Sequence, residues 1–267
     1  MTANLSITIV AILTAGAANA FADPSDTAVT TSAAPITAAS WPGALTERPL
    51  TLASGLGELE LDGTSMTSDG EMLATVGVAA AFGLTDRLEI EADRHCAFIG
   101  TCQMHQTGVH AKYAVVRSHA FEVAVVAGLE DYDVDLQDPN FALRLGATLE
   151  VRSGRIALVA APSINLALGA GNGSVQNSVV MPVVLEYQAT PSLALYARSG
   201  LDGWTADGGA PLQGFASSYA LPLAGGALIN VGHCCDVGVE VADVFAAGPG
   251  SEAPHVSQFT MYGQLWL

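Results

Sequence analysis

Positive charge is scarce in this chain. Nine Lys and Arg stand against 26 Asp and Glu, a formal net charge of -17 at pH 7, and the pI is near 4.4. A surface of that sign repels phosphate backbones, which argues against nucleic acid as a partner, and it disfavours anionic lipid headgroups. Long apolar runs are missing too. After the first residues no apolar stretch reaches the about 18 that a helical bilayer span needs. Charged residues are only 13% of the chain, while hydrophobic residues reach 50%, which is rich for a soluble protein. A lipid-facing chain without helical spans has to be a closed barrel, because a backbone in hydrocarbon finds no water to bond.

Export is read from the N-terminus. Leu5 to Ala15 is almost wholly apolar, and Ala18-Asn19-Ala20 and Ala20-Phe21-Ala22 both fit a small-x-small cleavage site. No Lys or Arg precedes the run, and an uncleaved hydrophobic anchor is the alternative. Residues 1–22 are expected to be a cleaved signal peptide. Residues 23–48, rich in Ala, Ser, Thr and Pro and without periodicity, are expected to be a flexible periplasmic leader. Residues 49–267 then form one domain.

What the chain does have is a cadence. Tight polar turns recur every 33 to 45 residues: Gly83-Leu84-Thr85-Asp86, Arg117-Ser118-His119, Arg152-Ser153-Gly154-Arg155, Ala189-Thr190-Pro191 and His233-Cys234-Cys235-Asp236. A rival for the fifth is Ala224-Gly225-Gly226. Longer stretches rich in Gly, Asp, Ser and Asn lie between them. The flanking segments alternate. Leu88, Ile90 and Ala92 share one face, with Arg87, Glu89, Glu91 and Asp93 on the other. The last segment sets Phe259, Met261, Gly263, Leu265 and Leu267 against Thr260, Tyr262, Gln264 and Trp266. About twelve strands fit the count, each near the length of a tilted transmembrane strand. The predicted fold is all-β: a closed antiparallel transmembrane β-barrel of about twelve strands, with both chain ends on the short-turn side. Phe82, Tyr113, Phe121 and Tyr187 lie near the turns, where an aromatic girdle belongs. A secreted soluble β-sandwich is the competing fold, since it alternates in the same way.

The export signal, the strand–turn–strand segment Phe82 to Ala92 and the terminal strand Gln258 to Leu267 together resemble a bacterial outer-membrane β-barrel of the porin-like or small-barrel kind. The resemblance covers residues 49–267. It implies the outer membrane of a Gram-negative bacterium, contact with outer-membrane lipid, and insertion by the barrel-assembly machinery. Members usually end on Phe or Trp; here Trp266 is penultimate and Leu267 is last.

The polar faces carry the candidate chemistry. If they point inward, the pore is lined by Glu58, Glu60, Arg87, Glu89, Glu91, Asp93, His110, Lys112, Glu122, Arg144, Glu150, Glu186, Arg198 and Glu240. The acidic excess favours a narrow channel for small solutes or cations. The alternative is a non-conducting structural or surface-interaction barrel acting through its extracellular loops. In the stretch His95 to His105, a Cys96–Cys102 disulfide is expected in an oxidising compartment, ahead of a zinc site. Cys234 and Cys235 lie on the opposite rim, too far away to join them. Asp131, Asp133 and Asp135 form a weak calcium candidate, because Leu136 stands where the helix–loop–helix calcium loop needs Gly. No cofactor motif is present: Gly171-Asn172-Gly173 reads as a turn, not a phosphate cradle. No spacing pairs a nucleophile with a base, so no catalytic residues are expected.

Overall fold

The structure, a computed structural model, describes residues 41–68, 71–99, 101–133, 141–168, 177–205, 218–232, 234–247 and 255–267. All of them belong to the compact unit Ile36–Leu267. The expected signal peptide and residues 23–40 of the expected leader lie outside the described residues.

The wall consists of β1 (Gly57–Ser68), β2 (Glu71–Thr85), β3 (Leu88–Ile99), β4 (Thr101–Arg117), β5 (Phe121–Asp133), β6 (Phe141–Ser153), β7 (Ile156–Ala160), β8 (Ser163–Leu168), β9 (Ser178–Thr190), β10 (Leu193–Thr205), β11 (Ser218–Val231), β12 (Cys235–Ala247) and β13 (His255–Trp266). All pairings are antiparallel. β1 pairs with β13, Leu59 opposite Leu265, and this closes the sheet. β7 and β8 are two halves of one strand, each lying between β6 and β9. The break falls at Ala161 and Pro162, where proline has no N–H to give the ladder. The wall therefore has twelve strand positions, as the alternation predicts. Closure leaves no sheet edge facing lipid.

The five short turns fall at or next to the places the sequence sets; the first shifts to Asp86 and Arg87, because β2 runs on to Thr85. The fifth lies between Val231 of β11 and Cys235 of β12, and Gly232 takes a positive φ of 65° there. The rival Ala224-Gly225-Gly226 lies inside β11, paired with β12 from Ala242 to Glu240. His233 lies outside the described residues. One expected loop is a strand pair instead. β3 and β4 stay paired up to Ile99 opposite Thr101, so Cys96 sits in the ladder opposite His105. The alternation of backbone pairing simply runs on to the tip of a tall hairpin.

Large apolar side chains ring the outside of the wall. Leu61, Val109, Val241 and Met261 are each more than half exposed. A continuous band of this kind belongs against lipid, not water. Phe82, Tyr113 and Tyr187 stand exposed near the short-turn end, and Phe121 is partly covered.

The buried apolar cluster lies in the mouth, not in the wall. Trp41, Leu52, Ala53 and Leu56 pack together with Ala81 and Trp266. Residues 41–56 thus fold back into the short-turn mouth, with a single 3-10 turn at Leu45–Glu47. Residues 41–48 of the expected leader belong to this folded-back segment. Trp41 and Arg48 are each exposed by only 7%, Trp41 against Trp266 and Arg48 on Asp236.

Candidate functional site

Strand parity decides which side chains reach the interior. Glu58, Glu60, Glu89, Glu91, Lys112, Glu150 and Glu186 border a cavity of about 350 Å³ on the short-turn side. Asp93, His110 and Arg144 border a second cavity of about 290 Å³, and Glu60, Glu91 and Lys112 line both. Glu122 is fully buried at the mouth. Arg198 reaches past β11 to Glu240, with Nη2 to Oε1 at 2.6 Å. Arg87 departs from the expected set. It occupies the β2–β3 turn, outside the ladder, and is exposed, because the strand that would have turned it inward begins at Leu88.

The mouth is held by a network of charges. Glu122 accepts from Arg117 Nε at 2.5 Å, from Arg152 at 2.8 Å, and from the Leu50 backbone N–H at 2.9 Å. Arg152 also binds Glu150 at 2.5 Å and the Arg48 carbonyl. Glu89 accepts from Lys112 at 2.8 Å and from the Leu52 N–H at 2.7 Å. Arg48 pairs with Asp236, which also accepts from Asn230 at 2.7 Å. The Arg48 guanidinium lies 5.0 Å from the Trp266 ring centroid, a cation–π distance. Trp41 stacks obliquely on the same indole, 5.4 Å between centroids. Trp266 therefore faces inward, and the terminal strand presents Leu265 and Leu267 outward.

Deeper in the lumen, Asp93 bridges two histidines. It lies 3.0 Å from His110 Nε2 and 3.3 Å from His95 Nδ1, and Asp62 is 3.5 Å from His95. Arg144 reaches Glu130 at 3.2 Å. On the opposite wall, Tyr196 lies over Gly226 and Tyr262 over Gly238, and their hydroxyls meet at 3.2 Å. A side chain at either glycine would collide with the ring.

The charges do not balance. The larger cavity is bordered by six carboxylates against two cations, Arg48 and Lys112. Glu58, Glu91 and Glu186 have no hydrogen-bond or ion-pair partner among the described residues. Eight strands make an interior that side chains can just fill, and sixteen leave an open channel; twelve fall between, and the two cavities are part of the space left over.

Asp62, His95, Glu130 and Asp236 also line the interior or mouth and were not among the residues expected there. Asp62, His95 and Glu130 extend the i+2 stripes of Glu58, Asp93 and Glu122, so parity alone would have found them. Arg48 carries no such signal, because it precedes the periodic part of the chain. Among the described residues no group of three or more His, Cys, Asp or Glu could hold a metal ion. Of the calcium candidate, Asp135 and the side chain of Asp133 lie outside the described residues, as does the side chain of Cys102. Cys234 and Cys235 are free thiols on the short-turn rim, their sulfurs 2.8 Å apart.

No family model matches the chain, and no curated protein matches it. Solved structures do share the fold. The KdgM porin superposes with a TM-score of 0.56 at 10% identity, over 77% of this chain and 98% of its own. The NanC porin gives the same values. The COG4313 outer membrane channel from Pseudomonas putida F1 superposes at 0.56 with 14% identity, over 83% of this chain and 98% of its own. The chain therefore has the fold of bacterial outer-membrane porin-type barrels.

Proposed function

We propose that this protein is a narrow outer-membrane channel of a Gram-negative bacterium, passing small solutes and favouring cations. The observation that carries this reading is the uncompensated carboxylate set Glu58, Glu91 and Glu186 beside a cavity enclosed by a closed wall. Inside a low-dielectric wall those of them that are ionised repel anions far more strongly than on an open surface. The short-turn rim, with the chain's C-terminus, faces the periplasm, and the tall β3–β4 hairpin faces outward. A Cys96–Cys102 disulfide staples that hairpin. Export through a cleaved signal at residues 1–22 and insertion by the assembly machinery complete the reading. No catalytic chemistry is assigned to it.

The similar structures are porins and an outer membrane channel, which supports conduction in general terms. The KdgM porin also has a structure in complex with disordered oligogalacturonate, a polyanion. Six carboxylates against two cations repel such a chain, so the proposal departs from that cargo.

A second reading, a non-conducting barrel that acts through its extracellular loops, is favoured by one observation: residues 41–56 fill the short-turn mouth. Planar-bilayer recording separates the two. Current steps that shift toward anion preference in a Glu58→Lys, Glu91→Lys double variant are expected. Current with an unchanged reversal potential removes the charge argument, and absence of current from folded protein favours the second reading.

A further inference from the structure

We infer that residues 41–52 are a gate seated in the short-turn mouth, separate from the wall and able to leave it. The inference rests on the channel reading, and three observations carry it. The first is reach. Arg48 binds Asp236 on β12, while Leu50 N–H binds Glu122 on β5. In the strand order these two lie half a circumference apart, so a few residues bridge the mouth from wall to opposite wall. The second is the kind of bond. The barrel closes through β1 and β13 without this segment. The segment is held instead by the side chains of Glu89, Glu122, Asp236, Arg117, Arg152 and Trp266, and by the Asp86 carbonyl, which accepts from the Thr51 hydroxyl. Releasing it breaks no ladder hydrogen bond of the wall.

The third observation is where the attachment changes character. Gly55 N–H donates to the Gly83 carbonyl and Gly83 N–H to the Leu56 carbonyl, at 2.8 and 3.0 Å. Those bonds fix the chain to β2 just before β1 begins. Gly55 has a positive φ of 81°, a conformation open to glycine. Gly83 has no room for a Cβ, which would lie 2.1 Å from the Ala53 carbonyl oxygen. Residues 53–56 are thus the fixed root, and residues 41–52 the part free to swing out. The contacts at the mouth are ionic, aromatic and, through Trp41 and Leu52, apolar, and they can open locally while the ladder of the wall stays intact. When the segment leaves, Asp236 loses Arg48 and is presented to an entering cation, while Glu89 keeps Lys112 and Glu122 keeps Arg117 and Arg152.

The test is single-channel recording of the full chain, of Arg48→Glu and of a deletion of residues 41–52. Heat-modifiable gel migration checks that each barrel is folded. Arg48→Glu sets a second carboxylate against Asp236 and is expected to raise the open fraction severalfold. The deletion is expected to conduct continuously, at a larger unitary conductance than the full chain. Equal conductance and open fraction in all three overturns the gate and leaves the channel reading standing. A folded deletion variant that passes no current overturns both. Should the deletion variant fail to fold, Arg48→Glu decides: an unaltered open fraction overturns the gate.

Discussion

Glu122 shows most clearly how single residues shape this molecule. It is wholly buried, yet it accepts from two guanidinium groups and one backbone N–H. Glu122→Ala leaves those three donors without their acceptor. Breaking a buried, paired charge costs about 3 kcal/mol, so a fall of that size in urea-unfolding stability is expected; a change under about 1 kcal/mol would mean that water replaces the carboxylate. Gly83→Val is expected to loosen the root of the mouth segment, because its Cβ has no room beside Ala53. Protease cleavage between residues 41 and 56 should then speed up while the barrel still migrates as folded, and an unchanged rate would mean the root does not depend on Gly83. Glu122 was readable from its place in an alternating strand. Arg48 was not: its role depends on a partner 188 positions away, and no local periodicity encodes such a contact.

At the scale of elements, alternation fixes which face of each strand meets lipid. Val241 on β12 is 60% exposed and points outward, while its neighbour Ala242 is buried toward the interior. Val241→Arg places a charge in the lipid-facing band and is expected to cost about 2–4 kcal/mol of folding free energy in vesicles. A cost near zero would put that position outside the hydrocarbon layer. The turns were readable because each needs polar or glycine residues at fixed places. The two elements not legible in this way were the β3–β4 tip and residues 41–48. In the first, pairing persists through residues that look like a loop by composition. In the second, a segment without periodicity folds back into the mouth, with Trp41 on Trp266 and Arg48 on Asp236.

At the scale of the whole molecule, the scarcity of Lys and Arg becomes a property of the lumen. Several of the few cations are spent on neighbouring acids: Lys112 on Glu89, Arg117 and Arg152 on Glu122, Arg198 on Glu240. What is left over is a surplus of carboxyl groups, bordering the enclosed space at Glu58, Glu91 and Glu186. Net charge was readable from composition, but the division between compensated and uncompensated acids requires the closed wall. The most direct measurement is the reversal potential of the folded full chain in a planar bilayer under a potassium chloride gradient. A potential of cation-selective sign, shrinking when Glu58 and Glu91 are made neutral, is expected. An anion-selective sign, or current indifferent to those two residues, would contradict a cation-favouring lumen.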